Sequence, residues 1–167
     1  MTLLPGVYTF DAAAQLTGTL TLDANGENNA FWVFQIGSAL TTAVNSSVTV
    51  VNFGSNAGSD DGIFWDAGTS ITIDTTNTIM GNYLAGTSIT FGTGSQGNGR
   101  ALAQSAISLD TNMIDSTGGP GGSDWTGGLM YDSHGNVVPV PEPAAFLWLA
   151  PLSAFGLALR QRSRLAN

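Results

Sequence analysis

Four short stretches share one polar signature: Ser38-Ala39-Leu40-Thr41, Thr69-Ser70-Ile71-Thr72, Thr87-Ser88-Ile89-Thr90 and Ser105-Ala106-Ile107-Ser108. In extended backbone successive side chains point to opposite faces, so the apolar third residue of each stretch turns one way and the second and fourth turn the other. Outward neighbours along a strand then stand about 6.6 to 6.8 Å apart, and stacked strands lie about 4.7 to 4.9 Å apart. The candidate face is Ser38, Thr41, Thr69, Ser70, Thr72, Thr87, Ser88, Thr90, Ser105 and Ser108. It is a flat grid of hydroxyl and methyl groups without bulky, strongly hydrating charges, and such a grid can hold surface water in an ordered array. Thr and Ser are also ordinary outward residues on strands, so a merely soluble surface is the competing reading.

Covalent chemistry is poorly supplied. His134 is the only histidine and sits among Gly, Ser and Asp, which leaves a Ser-His-Asp arrangement without a rigid base. There is no cysteine, so a thiol nucleophile, a Cys zinc site and a disulfide are all excluded. Asp60 and Asp61 fall in a loop, Asp66 and Asp74 fall near turns, and Arg100 is isolated, a scatter that reads as solvated acids. The Gly-rich run 118–124 lacks the repeated Gly-Gly-x-Gly-x-Asp pattern of calcium solenoids and reads as flexible linker. No enzyme activity, cofactor or metal is expected.

The elements that must position the tetrads follow from their spacing. Ala67-Gly68-Thr69-Ser70-Ile71-Thr72-Ile73 recurs 18 residues later as Ala85-Gly86-Thr87-Ser88-Ile89-Thr90-Phe91, and after another 18 as Ala103-Gln104-Ser105-Ala106-Ile107-Ser108-Leu109. The looser copy at 36–41 precedes its partner by 31, and the stretch GSNAGSDDG at 54–62 accounts for most of the excess as a loop insertion. Period-two alternation within each copy predicts strands with one buried face. A coil of 18 residues is too short for a helix-containing repeat and suits three short strands with their corners. The expected fold is all-β, a β-solenoid in which Ile71, Ile89 and Ile107 stack inward, as do Ile73, Phe91 and Leu109. Further strands are expected at 82–85 with 100–103 and at 47–51 with 78–80. Trp32, Phe34, Phe64 and Trp65 lie where alternation allows some to face outward, which would suit sugar binding by a cell-surface or exopolysaccharide-matrix protein.

The 167 residues carry twelve acidic groups against four basic ones and a net charge of −8. Three of the four arginines stand at the C terminus, so the body has no basic surface for nucleic acid. Three segments result: a body at 1–116, a linker at 117–140 and a tail at 141–167. In the tail, Ala144 to Leu159 is free of charge and spans roughly 24 Å if helical, at the lower edge of what crosses a bilayer. Arg160, Arg162 and Arg164 follow at once, which predicts that the body lies outside the membrane.

Pro141-Glu142-Pro143, the apolar span and the arginine cluster, in that order, resemble the bacterial PEP-CTERM sorting tail. That resemblance implies recognition by exosortase, a membrane-embedded transpeptidase, and an exported product of a Gram-negative-type bacterium, held first as a membrane-anchored precursor and then at the cell surface or secreted. PEP-CTERM tails accompany exopolysaccharide export, so a polysaccharide partner is a further expectation.

The body has its own resemblance. LLPGVYTF, LTGTLTLDANGENNAFWVFQIGSALTT and GRALAQSAISLDTNMI, between about Leu4 and Ile114, resemble the microbial ice-binding protein family. The resemblance implies a right-handed parallel β-helix with an α-helix along one side, and an ice crystal as the partner of the tetrad face. Family members begin with a secretion signal, the first solenoid strands and that helix. This sequence enters mid-pattern at Met1-Thr2-Leu3-Leu4-Pro5-Gly6, so it is expected to be a fragment or to carry a late start.

Overall fold

A computed structural model describes residues 1–117, 119, 122–127, 129–131, 133–134 and 137–139 of the chain. The chain winds in coils of three strands. The first coil is β1 (Thr2–Leu3), β2 (Gly6–Phe10) and β3 (Ala14–Leu16); the second is β4 (Thr19–Asp23), β5 (Phe31–Ile36) and β6 (Leu40–Thr42). The third is β7 (Ser47–Val51), β8 (Gly62–Ala67) and β9 (Ser70–Ile73); the fourth is β10 (Thr78–Met80), β11 (Asn82–Ala85) and β12 (Ser88–Phe91). The fifth is β13 (Gln96–Asn98), β14 (Ala101–Ala103) and β15 (Ala106–Ser108), and β16 (Met113–Asp115) begins another turn. A separate antiparallel pair, β17 (Leu129–Tyr131) and β18 (Val137–Pro139), follows.

Every third strand pairs in parallel with its counterpart one coil on. The first sheet is β1-β4-β7-β10-β13-β16, the second β14-β11-β8-β5-β2 and the third β15-β12-β9-β6-β3. The expected period is visible as register, with Ser70 beside Ser88 and Ser88 beside Ala106. The anticipated 31-residue step is visible too, Thr41 pairing with Thr72 while residues 52–61 loop out between β7 and β8. A second loop at 24–30, between β4 and β5, was not signalled by the repeat. The apolar C-terminal helix and transmembrane segment expected at 144–159 lie outside the described residues, and among those described no helix is long and apolar enough to cross a membrane.

Alternation explains the core. Leu40, Ile71 and Ile89 form one inward column, each at most 3% exposed, and each such burial is worth about 1.5–3 kcal/mol. Ile107 and Leu109, expected to extend the columns, are instead 44% and 59% exposed. They stand on the last coil, and among the described residues no further coil covers them. The second sheet contributes a column of rings, Tyr8, Phe34, Trp65 and Tyr83, in mutual register. Phe34 and Trp65 are stacked at 4.0 Å with 9° between planes, and Trp65 and Tyr83 at 6.1 Å with 2°. Trp32, Phe34 and Trp65 are therefore core residues, and only Phe64 of the four aromatic candidates is half-buried. The described residues present no aromatic strip to a sugar.

Beyond β16 the chain folds back along the corner between the first and second sheets. Trp125 is fully buried there, its indole donating to Asn98 Oδ1. The Trp125 carbonyl accepts from Ile63 N at 3.0 Å and Asn82 Nδ2 at 2.6 Å, and Thr126 bridges Gly62 in antiparallel sense. Coils two and three fill this corner with their own loops, whereas coil four turns on Gly81 alone and coil five on Gly99-Arg100. At Gly99 (φ 140°) a Cβ would lie 2.0 Å from Gly81 O, so the turn admits no side chain.

Candidate functional site

The third sheet brings the sequence-predicted residues together on its outer surface. One row across the coils is Thr41, Thr72, Thr90 and Ser108, all exposed, with Gln15 continuing it onto the first coil. A second row is Ser70, Ser88 and Ala106, the two serines half-buried. The third runs along the corner that leads into the sheet. Thr69 N donates to Ser38 O at 3.1 Å, Thr87 N to Thr69 O at 2.6 Å and Ser105 N to Thr87 O at 2.8 Å, so Ser38, Thr69, Thr87 and Ser105 stack one per coil.

The sharpness of that corner depends on its glycines. A Cβ at Gly68 would fall 2.7 Å from Gly37 O, and one at Gly86 2.3 Å from Gly68 O. Bare backbone packs against backbone here, and successive strands enter the third sheet at the same height. Among the described residues, none of the ten predicted hydroxyls makes a side-chain hydrogen bond to protein. Their bonding capacity faces solvent.

The other two sheets differ in kind. The second presents Thr9, Gln35, Asp66, Leu84 and Leu102 in one outward row, mixing acid, amide and large apolar groups. The first begins with small hydroxyls, Thr19, Ser47 and Thr78, but continues as Gln96 and Met113. Its Thr19 and Ser47 also bond each other at 2.9 Å. Small, unbonded, uncharged side chains persist from the second to the fifth coil on the third sheet.

Asp60, Asp61 and Asp74 serve loops and corners, whereas Asp66 stands outward on β8. Asp74 Oδ1 accepts from Thr75 N at 2.7 Å, Asp60 Oδ2 from Asn56 Nδ2 at 3.0 Å, and the fully buried Asp61 holds Ala30 N at 3.0 Å. Arg100 pairs with Asp124 at 2.9 Å on the strap. The Asp124 carboxyl is lowered below its ordinary value by the Thr126 hydroxyl, with Arg100 adding to the effect and partial burial opposing it. Burial pushes the Tyr83 phenol well above its ordinary value. His134 Nδ1 lies 3.4 Å from Ser133 Oγ, and no group of acids and histidine suited to a metal occurs among the described residues. Pro141, Glu142, Pro143, Arg160, Arg162 and Arg164 lie outside the described residues.

Sequence reasoning missed Thr42 and Asn77. Thr42 stands where neighbouring coils place Leu16, Ile73 or Phe91, yet it is only 6% exposed. A hydroxyl at an inward position of the alternation was the available signal.

Residues 1–115 match the family model described as ice-binding-like. Over 98% of its length the chain is 51% identical to an ice-binding protein of Nostoc sp. (strain HG1), of which it spans 56%. An ice-binding protein from an Antarctic biological consortium superposes with a TM-score of 0.61 and 34% identity over 68% of this chain and 50% of its own. The ice-binding protein of the ascomycete Antarctomyces psychrotrophicus gives 0.63 and 37%, covering 68% of this chain and 54% of its own. The chain thus spans about half the length of these relatives.

Proposed function

The chain belongs to the ice-binding-like family, and we propose that it adsorbs to ice through the outer face of its third sheet. The observation that carries this reading is the in-register row Thr41, Thr72, Thr90 and Ser108, whose hydroxyls have no protein partner among the described residues and whose neighbours are equally small. A plane of hydroxyl and methyl groups at sheet spacing orders water without the tightly held hydration of charges. Adsorption then draws on many weak, simultaneous contacts, and a surface step of ice cannot advance past the bound protein. No group transfer is involved, and the family's ice-binding character favours a non-enzymatic role.

Export completes the reading. The Pro141-Glu142-Pro143 signal, the apolar run 144–159 as a helix in the inner membrane and the arginines after it would make the precursor an exosortase substrate, delivered to the cell surface or medium of a Gram-negative-type bacterium. On this reading the coils wind in the right-handed sense usual for parallel crossovers. The chain would also be the later part of a longer family domain, in keeping with the half-length match.

The test is direct. Protein carrying the upstream family segment is examined for shaping of ice crystals and for slowing of recrystallisation. Activity in both is expected; a folded protein inert in both would reduce the grid to a well-hydrated surface. Mass spectrometry of the product from an exosortase-bearing host is expected to show loss of residues 144–167, and an intact Asn167 would remove the sorting proposal.

A further inference from the structure

A buried polar seam runs behind the corner that leaves the third sheet for the first. Ser46 Oγ donates to Leu16 O at 3.3 Å, Ser95 Oγ to Asp74 O at 2.6 Å, and Asn112 Nδ2 to Gly92 O at 2.7 Å, so each side chain ties its coil to the one before. Between the second and third coils the seam takes a different form. Asn77 Oδ1 accepts from Ser46 N at 2.5 Å, Asn77 Nδ2 donates to Thr42 Oγ1, and the same oxygen accepts from Asp74 N at 2.9 Å. Thr42 and Asn77 are 6% and 1% exposed, so these bonds are made away from water and losing one is costly.

Their place in the fold matters more than their strength. β6 and β9 share only two in-register pairs, Leu40 with Ile71 and Thr41 with Thr72, against four between β9 and β12. This is also the junction where the 18-residue period fails and the loop at 52–61 intervenes. A strand can slip most readily where its ladder is shortest, and slippage by one residue would turn Thr41 inward. Thr42 immediately follows Thr41, and its hydroxyl is bonded to the backbone of the residue that follows Ile73.

We propose that Thr42 and Asn77 are positioning residues for the proposed ice-contact face, pinning β6 to β9 so that Thr41 stands in one plane with Thr72, Thr90 and Ser108. The inference rests on the third sheet being the face that meets ice. In place of the repeat, one buried amide and one buried hydroxyl join the early and late parts of the face.

The experiment compares the full-length chain with Thr42→Val, Thr42→Ser and Thr41→Tyr, the last in both parent and Thr42→Val backgrounds. Ice-growth inhibition and thermal melting are read together. Thr42→Val preserves shape and removes the acceptor; it is expected to fold, to melt earlier and to retain less than half of the inhibition. Thr42→Ser restores the parent value. Thr41→Tyr costs much of the activity in the parent and little in Thr42→Val. Parent-level inhibition by folded Thr42→Val, or an equal cost of Thr41→Tyr in both backgrounds, overturns the proposal. Should Thr42→Val not fold, Asn77→Ser is read in the same way, and failure of both to fold assigns the pair to stability alone and overturns positioning. A harmless Thr72→Tyr would remove the face itself and the inference with it, whereas a damaging Thr72→Tyr beside an indifferent Thr42→Val removes only the inference.

Discussion

Thr72 stands directly beside Thr90 across the β9–β12 ladder, both side chains exposed and neither bonded to another protein group among the described residues. The pair lies at the middle of the row from Thr41 to Ser108. A partner of this row would meet the two hydroxyls side by side.

A plane is spoiled more by a protrusion than by a missing hydroxyl. Thr72→Tyr or Thr90→Tyr is therefore expected to abolish most ice-growth inhibition while changing folding stability by no more than about 0.5 kcal/mol, as for other exposed sites. Thr72→Ser keeps the small hydroxyl and is expected to leave activity nearly intact. Thr78→Tyr on the first sheet and Asp66→Tyr on the second serve as controls and are expected to be neutral. Loss of activity in a control with retention in Thr72→Tyr would move the contact to another sheet.

The ring column makes a separate claim about stability. Trp65 is 4% exposed, stacks on Phe34 and Tyr83, and donates from its indole to Met80 O at 3.0 Å. Trp65→Ala is expected to cost about 3–5 kcal/mol through lost transfer energy and a residual cavity. Denaturant melts should show this as an earlier midpoint. A cost below about 1 kcal/mol would mean that neighbouring coils close over the gap.

The coils were legible because a solenoid writes its geometry into a period: Ile71 and Ile89 are 18 residues apart and neighbours in space. The outward row was legible for the same reason. The orientation of Trp32, Phe34 and Trp65 was not, because alternation states that neighbours differ in face but leaves open which face is inward. Thr42 and Asn77 escaped because their partners lie in the adjacent coil, 35 residues apart for the pair itself, and no local pattern links them. Trp125 escaped for a related reason. Its Gly- and Ser-rich surroundings read as linker, and the partners that hold it, Ile63, Asn82 and Asn98, are remote in sequence.

The strap that Trp125 anchors is expected to be sensitive to acid at its rim. The Asp124 carboxyl lies below its ordinary value chiefly through the Thr126 hydroxyl, with help from Arg100. A carboxyl with a depressed folded-state pKa stabilises above the ordinary carboxylate range and loses that contribution as pH falls through its own lowered value. Melting temperature should accordingly fall in acid, and Asp124→Asn should flatten that part of the profile. Trp125→Ala, which removes the anchor at every pH, is expected to cost about 3–5 kcal/mol. An unchanged acid limb in Asp124→Asn would assign it to other carboxylates.

The two ends of the solenoid set the last expectation. β1, β2 and β3 border one end and β14, β15 and β16 the other, each with backbone groups facing outward along the axis. Inward-type residues are uncovered at both, Phe10 at 39% exposure, Ile107 at 44% and Leu109 at 59%. An open edge beside bare apolar groups is a template for another strand. Residues 1–137 prepared alone are therefore expected to self-associate, and light scattering should give a mass above that of one chain. Leu109→Lys places a charge on the upper rim, where a stacked copy would have to bury it, and should lower that mass. Tyr at Thr72 should leave it unchanged, because that side chain projects sideways from the stack. A monodisperse monomer with a cooperative melt would show that the edges are protected without a neighbour.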